Sequence, residues 1–248
     1  MSANLPTHPT VIAIETSSEL ASCALLRQGR VTSRVSSGVR THSQSVLPMI
    51  QELLAEAGIA LADCDAVAYG AGPGSFTGVR TACGIAQGLG FGAGKPLVPV
   101  VTLAAMALAA REKTGAHDVL AVMDARMNEV YWAQYRFDGE TPVETLAPAL
   151  SAPQDVQPQG APTGCGNGIA AYPEGFAAAP FAAGADAAVM PHAAQIARLA
   201  ATALAAGEGV PAAQAQPLYL RNKVAYTRAE RAEMKQAESD AAQAGKAA

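Results

Sequence analysis

The order of apolar and polar positions divides the chain into two runs of strands and helices. Continuous or alternating apolar residues predict strands, and apolar residues repeating every three to four positions predict helices. In the first run, the predicted strands are 11–16, 21–29, 30–37, 65–72 and 96–101, and the predicted helices are 43–57, 76–92 and 102–115. In the second run, the predicted strands are 118–126, 129–137 and 143–150, loops and short elements fill 151–187, and 189–207 is a helix.

The order of the first run predicts a mixed α/β domain. Its first three strands are close enough in sequence to form an antiparallel meander, whereas the later strands are separated by helices and are expected to pair in parallel. This order is typical of a ribonuclease H-like domain. The segment 227–248 is strongly polar, so we expect it to be a disordered tail.

Composition excludes several classes of protein. With 50% hydrophobic and 15% charged residues, the chain is too apolar for intrinsic disorder, and its net charge of −4 provides no broad basic surface for nucleic acid. We therefore expect contact with RNA to be made mostly through another chain. The four scattered cysteines, the lack of a signal-peptide pattern and the lack of an apolar stretch of about 20 residues predict a soluble, reduced, cytoplasmic protein without a membrane partner.

A glycine-rich segment at 70–80 (GAGPGSFTGVR) separates a predicted strand from a predicted helix. It matches neither the Walker loop nor the dinucleotide fingerprint, because five residues separate Gly72 from Gly78 and no lysine follows. Backbone N–H groups at this helix start could still bind an anion. The alternative is a tight turn in which Ser75 or Thr77 caps the helix. The candidate nucleotide-binding residues are Glu15, Gly72, Gly74 and Ser75.

Acidic residues at two strand ends are the other candidates for chemistry. Glu15 ends the first strand, before two hydroxyl residues, where it could face a magnesium nucleotide, although a strand-end turn explains the same residues. Asp124 and Arg126 end a later strand, and a structural salt bridge is the favoured interpretation. The four histidines never stand three or four positions apart, so the residues nominate neither a metal site nor a catalytic residue.

The helix predicted at 76–92 carries glycines at Gly84, Gly88 and Gly92. Each interior glycine costs about 1 kcal/mol of helix stability relative to alanine, so this row requires a compensating benefit. A face without side chains allows another element to approach closely. Two interpretations remain open, packing of this face on the chain's own sheet and contact with another molecule.

Several segments together resemble one family, TsaB (also called YeaZ). The matching stretches run in order over residues 11–221 and include VIAIETSS, THSQSVLPMIQELL, GAGPGSFTGVRTACGIAQGL, KPLVPVVTLAAMA, VMDARMNEVYWAQY and PLYLR. The resemblance implies two ribonuclease H-like lobes of the actin-like, sugar-kinase-like (ASKHA) fold, with the second lobe reduced. The implied division is 1–112 for the N-terminal lobe, 113–226 for the reduced C-terminal lobe and 227–248 for the polar tail.

The resemblance also implies a function in tRNA modification. It implies a non-catalytic subunit that dimerises with TsaD and activates it for threonylcarbamoyl transfer to N6 of the adenosine following the tRNA anticodon. TsaD carries an HxxxH metal-binding pair, and the matching positions here are Thr102 and Met106, which cannot replace imidazole ligands. ATP and a divalent metal are expected in the complex, which also contains TsaE and binds tRNA, and no cofactor is expected for this chain alone.

In the resembled family, the first two helices form the interface with TsaD, or with a second copy of the chain when TsaD is absent. The interface residues carried over to this sequence are Val46, Met49, Ile50, Leu53, Val79, Cys83 and Gly88. Two other functions remain as alternatives. One is a free-standing nucleotide-binding phosphotransferase of the actin-like fold, and the other is a metallopeptidase, against which the missing histidine pair argues.

Overall fold

A computed structural model describes residues 8–36, 42–139 and 141–221 as a mixed α/β fold with two sheets. The strands are β1 (Val11–Glu15), β2 (Ser22–Arg27), β3 (Arg30–Val35), β4 (Ala66–Gly72), β5 (Leu97–Val101), β6 (Asp118–Arg126), β7 (Glu129–Asp138), β8 (Thr141–Ser151) and β9 (Thr163–Cys165). The α-helices are α1 (His42–Ala57), α2 (Phe76–Ala93), α3 (Thr102–Thr114), α4 (Asn167–Ala171) and α5 (Ala193–Ala205). Within the described ranges, no helix is both long and apolar enough to cross a bilayer.

The first sheet has the strand order β3-β2-β1-β4-β5. β1, β2 and β3 form the predicted antiparallel meander, and β1 pairs in parallel with β4, which pairs in parallel with β5. β1 and β4 lie inside the sheet and are buried along their whole length, as continuous apolar runs predict. The mixed sheet inferred from the order of the elements is therefore confirmed.

The second sheet has the order β8-β7-β6-β9. β6, β7 and β8 are antiparallel neighbours, and β6 pairs in parallel with the short strand β9. β9 and α4 lie within 151–187, where the sequence predicts loops and short elements. Apolar side chains from this region complete a core beneath the sheet, in which the rings of Phe176 and Phe181 meet edge to face at 5.7 Å.

Helices cover both faces of the first sheet. α1 and α2 pack on one face, with Val46, Leu53 and Cys83 in that core. α5 packs on the other face, where Ile196 and Ala200 contact the side chains of β1, β4 and β5. The predicted helix at 189–207 is thus present, but it belongs to the layer of the first sheet although its sequence follows the second.

The segment after α5 also returns to the first sheet. Val210 pairs with Leu97 through two backbone hydrogen bonds of 2.8 Å, and the N–H of Leu218 donates to the carbonyl of Ala71 at 2.7 Å. The described residues up to Leu218 form one compact unit. The predicted boundary at 112/113 falls in the last turn of α3 and stays a prediction, and the predicted tail at 227–248 lies outside the described residues.

α5 begins at a histidine cap. The Nδ1 atom of His192 accepts a hydrogen bond from the N–H of Ala194 at 3.0 Å, and the hydroxyl of Ser22 accepts one from the N–H of Ala193 at 2.9 Å. The ring can accept this bond only when Nδ1 is unprotonated. Burial lowers the pKa of His192 below its ordinary value of 6.5. The neutral ring is therefore the form that stabilises the helix.

Acidification should weaken this cap. Because the pKa of His192 is lower in the folded chain, the unfolded chain binds the proton first, and the free energy of unfolding falls as pH drops below about 6.5. Asparagine caps helices without titrating. We expect His192→Asn to reduce the loss of stability between pH 7.5 and pH 5 by about 1 kcal/mol, as measured by urea unfolding. An unchanged pH dependence in the variant would show that the cap does not depend on protonation.

Candidate functional site

The glycine-rich segment forms a turn that ends in a helix cap. β4 ends at Gly72, whose φ of 110° is left-handed, and Ser75 precedes the first residue of α2. The Ser75 hydroxyl accepts a hydrogen bond from the N–H of Gly78 at 3.4 Å, and the Ser75 carbonyl accepts one from the N–H of Val79 at 2.9 Å. The capping interpretation is therefore confirmed for Ser75.

The turn between β1 and β2 packs into this glycine segment. The Thr16 hydroxyl donates to the carbonyl of Gly78 at 2.7 Å, and the N–H of Ser75 donates to the carbonyl of Ser17 at 2.8 Å. A methyl group on Gly74 would lie 2.5 Å from the Ser17 Cβ, and one on Gly78 would overlap the Thr16 carbonyl. Because Gly74 and Gly78 have no side chains, the backbone of the β1–β2 turn can pack directly against them. This arrangement favours close packing of the segment over an open anion-binding site.

Glu15 lies fully buried beside this contact. Its Oε1 accepts a hydrogen bond from the N–H of Ser17 at 2.5 Å, whereas Oε2 has no partner among the described residues. A methyl group on Gly70 would overlap Oε2, so this glycine provides the space for the carboxyl group. Burial raises the pKa of Glu15 above its ordinary value, and the hydrogen bond from the Ser17 N–H opposes this shift with a smaller effect.

The four nucleotide-binding candidates therefore lie together, where the end of β1 meets the end of β4 and the segment that follows it. Their role with a nucleotide stays a prediction. Among the described residues, no group of three His, Cys, Asp or Glu side chains is arranged to hold a metal ion. The hydroxyl, carbonyl and carboxyl groups at this junction form hydrogen bonds to neighbouring residues of the same chain.

The row Gly84, Gly88 and Gly92, called the glycine face below, is exposed on the outer side of α2. A Cβ atom added to any of the three would meet no neighbouring atom of the described chain within 4 Å. The inner side of α2 is formed by Val79, Cys83 and other buried residues. Of the two interpretations left open by the sequence, packing of the glycine face on the chain's own sheet is therefore excluded.

The structure corrects the facing of the predicted interface residues. Six of the seven are buried in the core of this chain and face the first sheet, because they form the apolar stripes of α1 and α2: Val46, Met49, Ile50, Leu53, Val79 and Cys83. Gly88 alone among the seven is exposed. An interface on these helices would use their opposite sides, and its existence stays a prediction.

Large apolar side chains on the outer sides of α1 and α2 were missed by the sequence reasoning. Phe91 is 85% exposed, and Leu47 on α1 is 45% exposed. Phe76 begins α2, and the guanidinium of Arg80 lies 3.5 Å from the centre of its ring. A helical wheel provides the missing signal, since it places Phe76, Arg80 and Phe91 beside the glycine face when the buried stripe points inward.

Asp124 and Arg126 form the predicted salt bridge, with Arg126 Nη1 3.1 Å from Asp124 Oδ2. Arg126 also pairs with Glu19 in the turn between β1 and β2, at 3.3 Å. The arginine thus links the turns of the two sheets. Both partners of the second pair are mostly exposed, so its contribution to stability is small.

The chain is similar in sequence to known proteins of one family. Residues 29–244 match the family model described as TsaD: tRNA N6-adenosine threonylcarbamoyltransferase. The tRNA threonylcarbamoyladenosine biosynthesis protein TsaB of Escherichia coli (strain K12) is 40% identical over 222 residues, which cover 87% of this chain and 96% of the relative. The chain belongs to the TsaB (YeaZ) family.

Further relatives of the TsaB family agree in sequence and in structure. TsaB of Haemophilus influenzae is 53% identical over 125 residues, half of this chain and 53% of the relative. The structure of YeaZ from Pseudomonas aeruginosa superposes with a TM-score of 0.79 at 42% identity, covering 86% of this chain and 100% of the other. The resemblance found in the sequence motifs is therefore confirmed over nearly the whole described chain.

Proposed function

We propose that this TsaB-family chain acts in the synthesis of threonylcarbamoyladenosine in tRNA as a non-catalytic subunit. In this function it dimerises with a TsaD homologue and activates it for threonylcarbamoyl transfer to N6 of the adenosine following the anticodon. The relatives named for this biosynthesis support the pathway. The observation that carries the partnership is the glycine face, which is exposed on α2 and is bordered by the exposed ring of Phe91.

The glycine face suits contact with a helix of the partner. Without side chains on Gly84, Gly88 and Gly92, a second backbone can approach α2 closely and gain van der Waals contact along the row. The exposed Phe91 and Leu47 would then be covered by the same partner, which removes apolar surface from water. In the absence of TsaD, the same surface is proposed to pair with a second copy of this chain.

Two core residues support the non-catalytic assignment. Thr102 and Met106, at the positions of the TsaD histidine pair, are both fully buried in α3. The Thr102 hydroxyl accepts a hydrogen bond from the N–H of Gly72 at 3.2 Å, and the methyl end of Met106 lies against Gly166. Their side chains thus stabilise the interior. The ATP and divalent metal used by the complex are assigned to TsaE and TsaD, and tRNA is bound through the complex.

We also propose that the two sheets correspond to two ribonuclease H-like lobes of the ASKHA fold, the second reduced. The support is topological. The order β3-β2-β1-β4 of the first sheet recurs as β8-β7-β6-β9, while the second sheet has no counterpart of β5 among the described strands. In both sheets three antiparallel strands come first, and the first of the three also pairs in parallel with a later strand, β4 in the first sheet and β9 in the second.

Reconstitution with the TsaD and TsaE homologues of the same organism tests the proposal. The chain alone should not modify tRNA, and addition of both partners with ATP and a divalent metal should produce threonylcarbamoyladenosine. Gly88→Arg should weaken association with TsaD at least tenfold, because a buried arginine without a partner loses its hydration. Modification should fall in parallel at subsaturating concentrations of the variant.

Thr202→Arg is the matched control, since it adds the same side chain at an exposed position of α5. Thermal unfolding should show that both variants are folded, as Gly88 has open space around it. Robust transfer by the single chain would contradict the non-catalytic assignment. Unchanged affinity of Gly88→Arg for TsaD would contradict the assignment of the glycine face.

A further inference from the structure

A cavity of about 530 Å³ lies beside the second sheet, distant in sequence from the glycine segment. It is formed where the β6–β7 turn meets the residues that follow β8 and α4. Its size is in the range of small-molecule sites. The lining residues are Asn128, Pro153, Gln154, Ala171, Tyr172, Pro173, Glu174 and Gly175.

The side chain of Tyr172 is held in place by the chain itself. Its hydroxyl donates to Asp124 Oδ1 at 2.8 Å and accepts a hydrogen bond from the backbone N–H of Asn128. Asp124 is held in turn, because its carboxylate accepts the N–H of Arg126 at 2.8 Å and its own N–H donates to Asn167 Oδ1 at 3.0 Å. The aromatic wall of the cavity is thus fixed before any ligand enters.

The β6–β7 turn adopts an uncommon backbone to make these contacts. Arg126, Met127 and Asn128 all have left-handed φ values, of 61°, 59° and 58°, and none is glycine. A left-handed conformation costs about 1–2 kcal/mol for a residue with a Cβ atom, although asparagine tolerates it better. The turn therefore accepts strain while its last residue supplies an N–H to Tyr172 and a side chain to the cavity.

The lining has the composition of a site for a flat, polar ring. Tyr172 provides an aromatic surface, Pro153 and Pro173 provide rigid apolar surface, and the amides of Asn128 and Gln154 provide donors and acceptors. Both residues are exposed, and neither side-chain amide makes a hydrogen bond within the described chain, so both amides are available to a ligand. Asparagine and glutamine amides match the donor and acceptor edge of adenine, and tyrosine rings stack on bases.

The charge of the lining residues is that of a site for a neutral group and not for a phosphate. Among the residues lining the cavity, Glu174 carries the only formal charge, and no lysine or arginine is present to bind phosphate. We propose that this cavity binds a single unstacked nucleobase, with the phosphates of the ligand directed away from it. The base can come from a free nucleoside or from single-stranded RNA, and the shared chemistry is stacking together with amide recognition.

Fluorescence of the isolated chain tests the proposal without any partner protein. Trp132 is the one tryptophan of the sequence and packs in the same apolar cluster as Tyr172, so its emission should change on binding. Titration with adenosine should give a saturable change. ATP should bind no more tightly than adenosine, because Glu174 repels its phosphates.

Variants assign the signal to the cavity. Tyr172→Ala should weaken adenosine binding about tenfold or more through loss of stacking, and Tyr172→Phe, which keeps the ring, should weaken it less. Gln154→Ala should weaken binding about threefold to tenfold. Its matched control is Gln157→Ala, an exposed glutamine of the same segment that does not line the cavity. If Tyr172→Ala does not fold, the comparison of Gln154→Ala with Gln157→Ala tests the proposal instead.

The source of the base is resolved by a third arm with a short single-stranded oligoadenylate. Tighter binding of the oligomer than of adenosine, lost in Gln154→Ala, would assign RNA as the source, and equal binding would assign a free nucleoside. Absence of saturable binding by both adenosine and the oligomer would overturn the proposal. It would also be overturned if ATP bound far more tightly than adenosine and the cavity variants had no effect. The partnership with TsaD is unaffected by either result.

Discussion

Gly78→Ala is expected to lower the free energy of unfolding by about 3 kcal/mol, although alanine is the better helix former. The methyl group would overlap the backbone carbonyl of Thr16. The hydroxyl of the same threonine donates a hydrogen bond to the carbonyl of Gly78, so the two segments are already in close contact. Relief requires the β1–β2 turn to move away from α2. Urea unfolding at neutral pH measures the loss.

Gly88→Ala is the matched control because it is the same substitution in the same helix. With no neighbouring atom of the described chain within 4 Å of the new methyl group, it should stabilise the chain by up to about 1 kcal/mol. The two variants are therefore expected to shift stability in opposite directions. Stabilisation by both would show that the Thr16 carbonyl does not pack against the glycine segment.

Glu15→Gln is expected to raise the free energy of unfolding at pH 7.5 by about 2 kcal/mol. The carboxyl group is fully buried, and burial raises its pKa above 4.5, so the folded chain binds the proton more tightly than the unfolded chain. Stability therefore falls as pH rises above about 4.5. Glutamine keeps the acceptor for the Ser17 N–H and carries no charge.

The advantage of the variant should shrink as pH falls towards 4.5, because the native carboxyl group, whose pKa burial raises, takes up its proton over this range. Unfolding in guanidinium chloride at pH 4.5, 6 and 7.5 measures this convergence. Glu19→Gln is the control, since Glu19 is an exposed glutamate of the same turn and should shift stability little. A variant less stable than the native chain at pH 7.5 would mean that the ionised carboxylate is held by a favourable partner.

Much of the fold could be predicted because its signals are local. The meander of β1 to β3, the helix that ends before Gly58 and the strand pair with a two-residue turn at Met127 all follow from periodicity and turn residues. The cap at Ser75 was one of two interpretations of the glycine segment. The structure supports it because the hydroxyl lies within hydrogen-bonding distance of the N–H of Gly78.

The candidate sites were harder to predict. The apolar residues of α1 and α2 were assigned to a partner, yet they form the chain's own core, since an apolar stripe alone does not identify what covers it. The glycine face could be recognised from its spacing but not oriented. Tyr172 gave no signal in sequence, because its role depends on Asp124, 48 positions earlier in the chain.

The amino-acid sequence by itself determined the order of the elements and whether each is a helix or a strand. It also determined the family motifs and the absence of a histidine pair. Each depends on neighbouring residues or on residue identity. Folding was needed to establish that α5 covers the first sheet, that Thr16 fills the glycine segment and that the glycine face points outward. The first two features depend on contacts between residues far apart in sequence, such as Ser22 with Ala193 and Thr16 with Gly78, which are 171 and 62 positions apart, beyond the reach of any local periodicity.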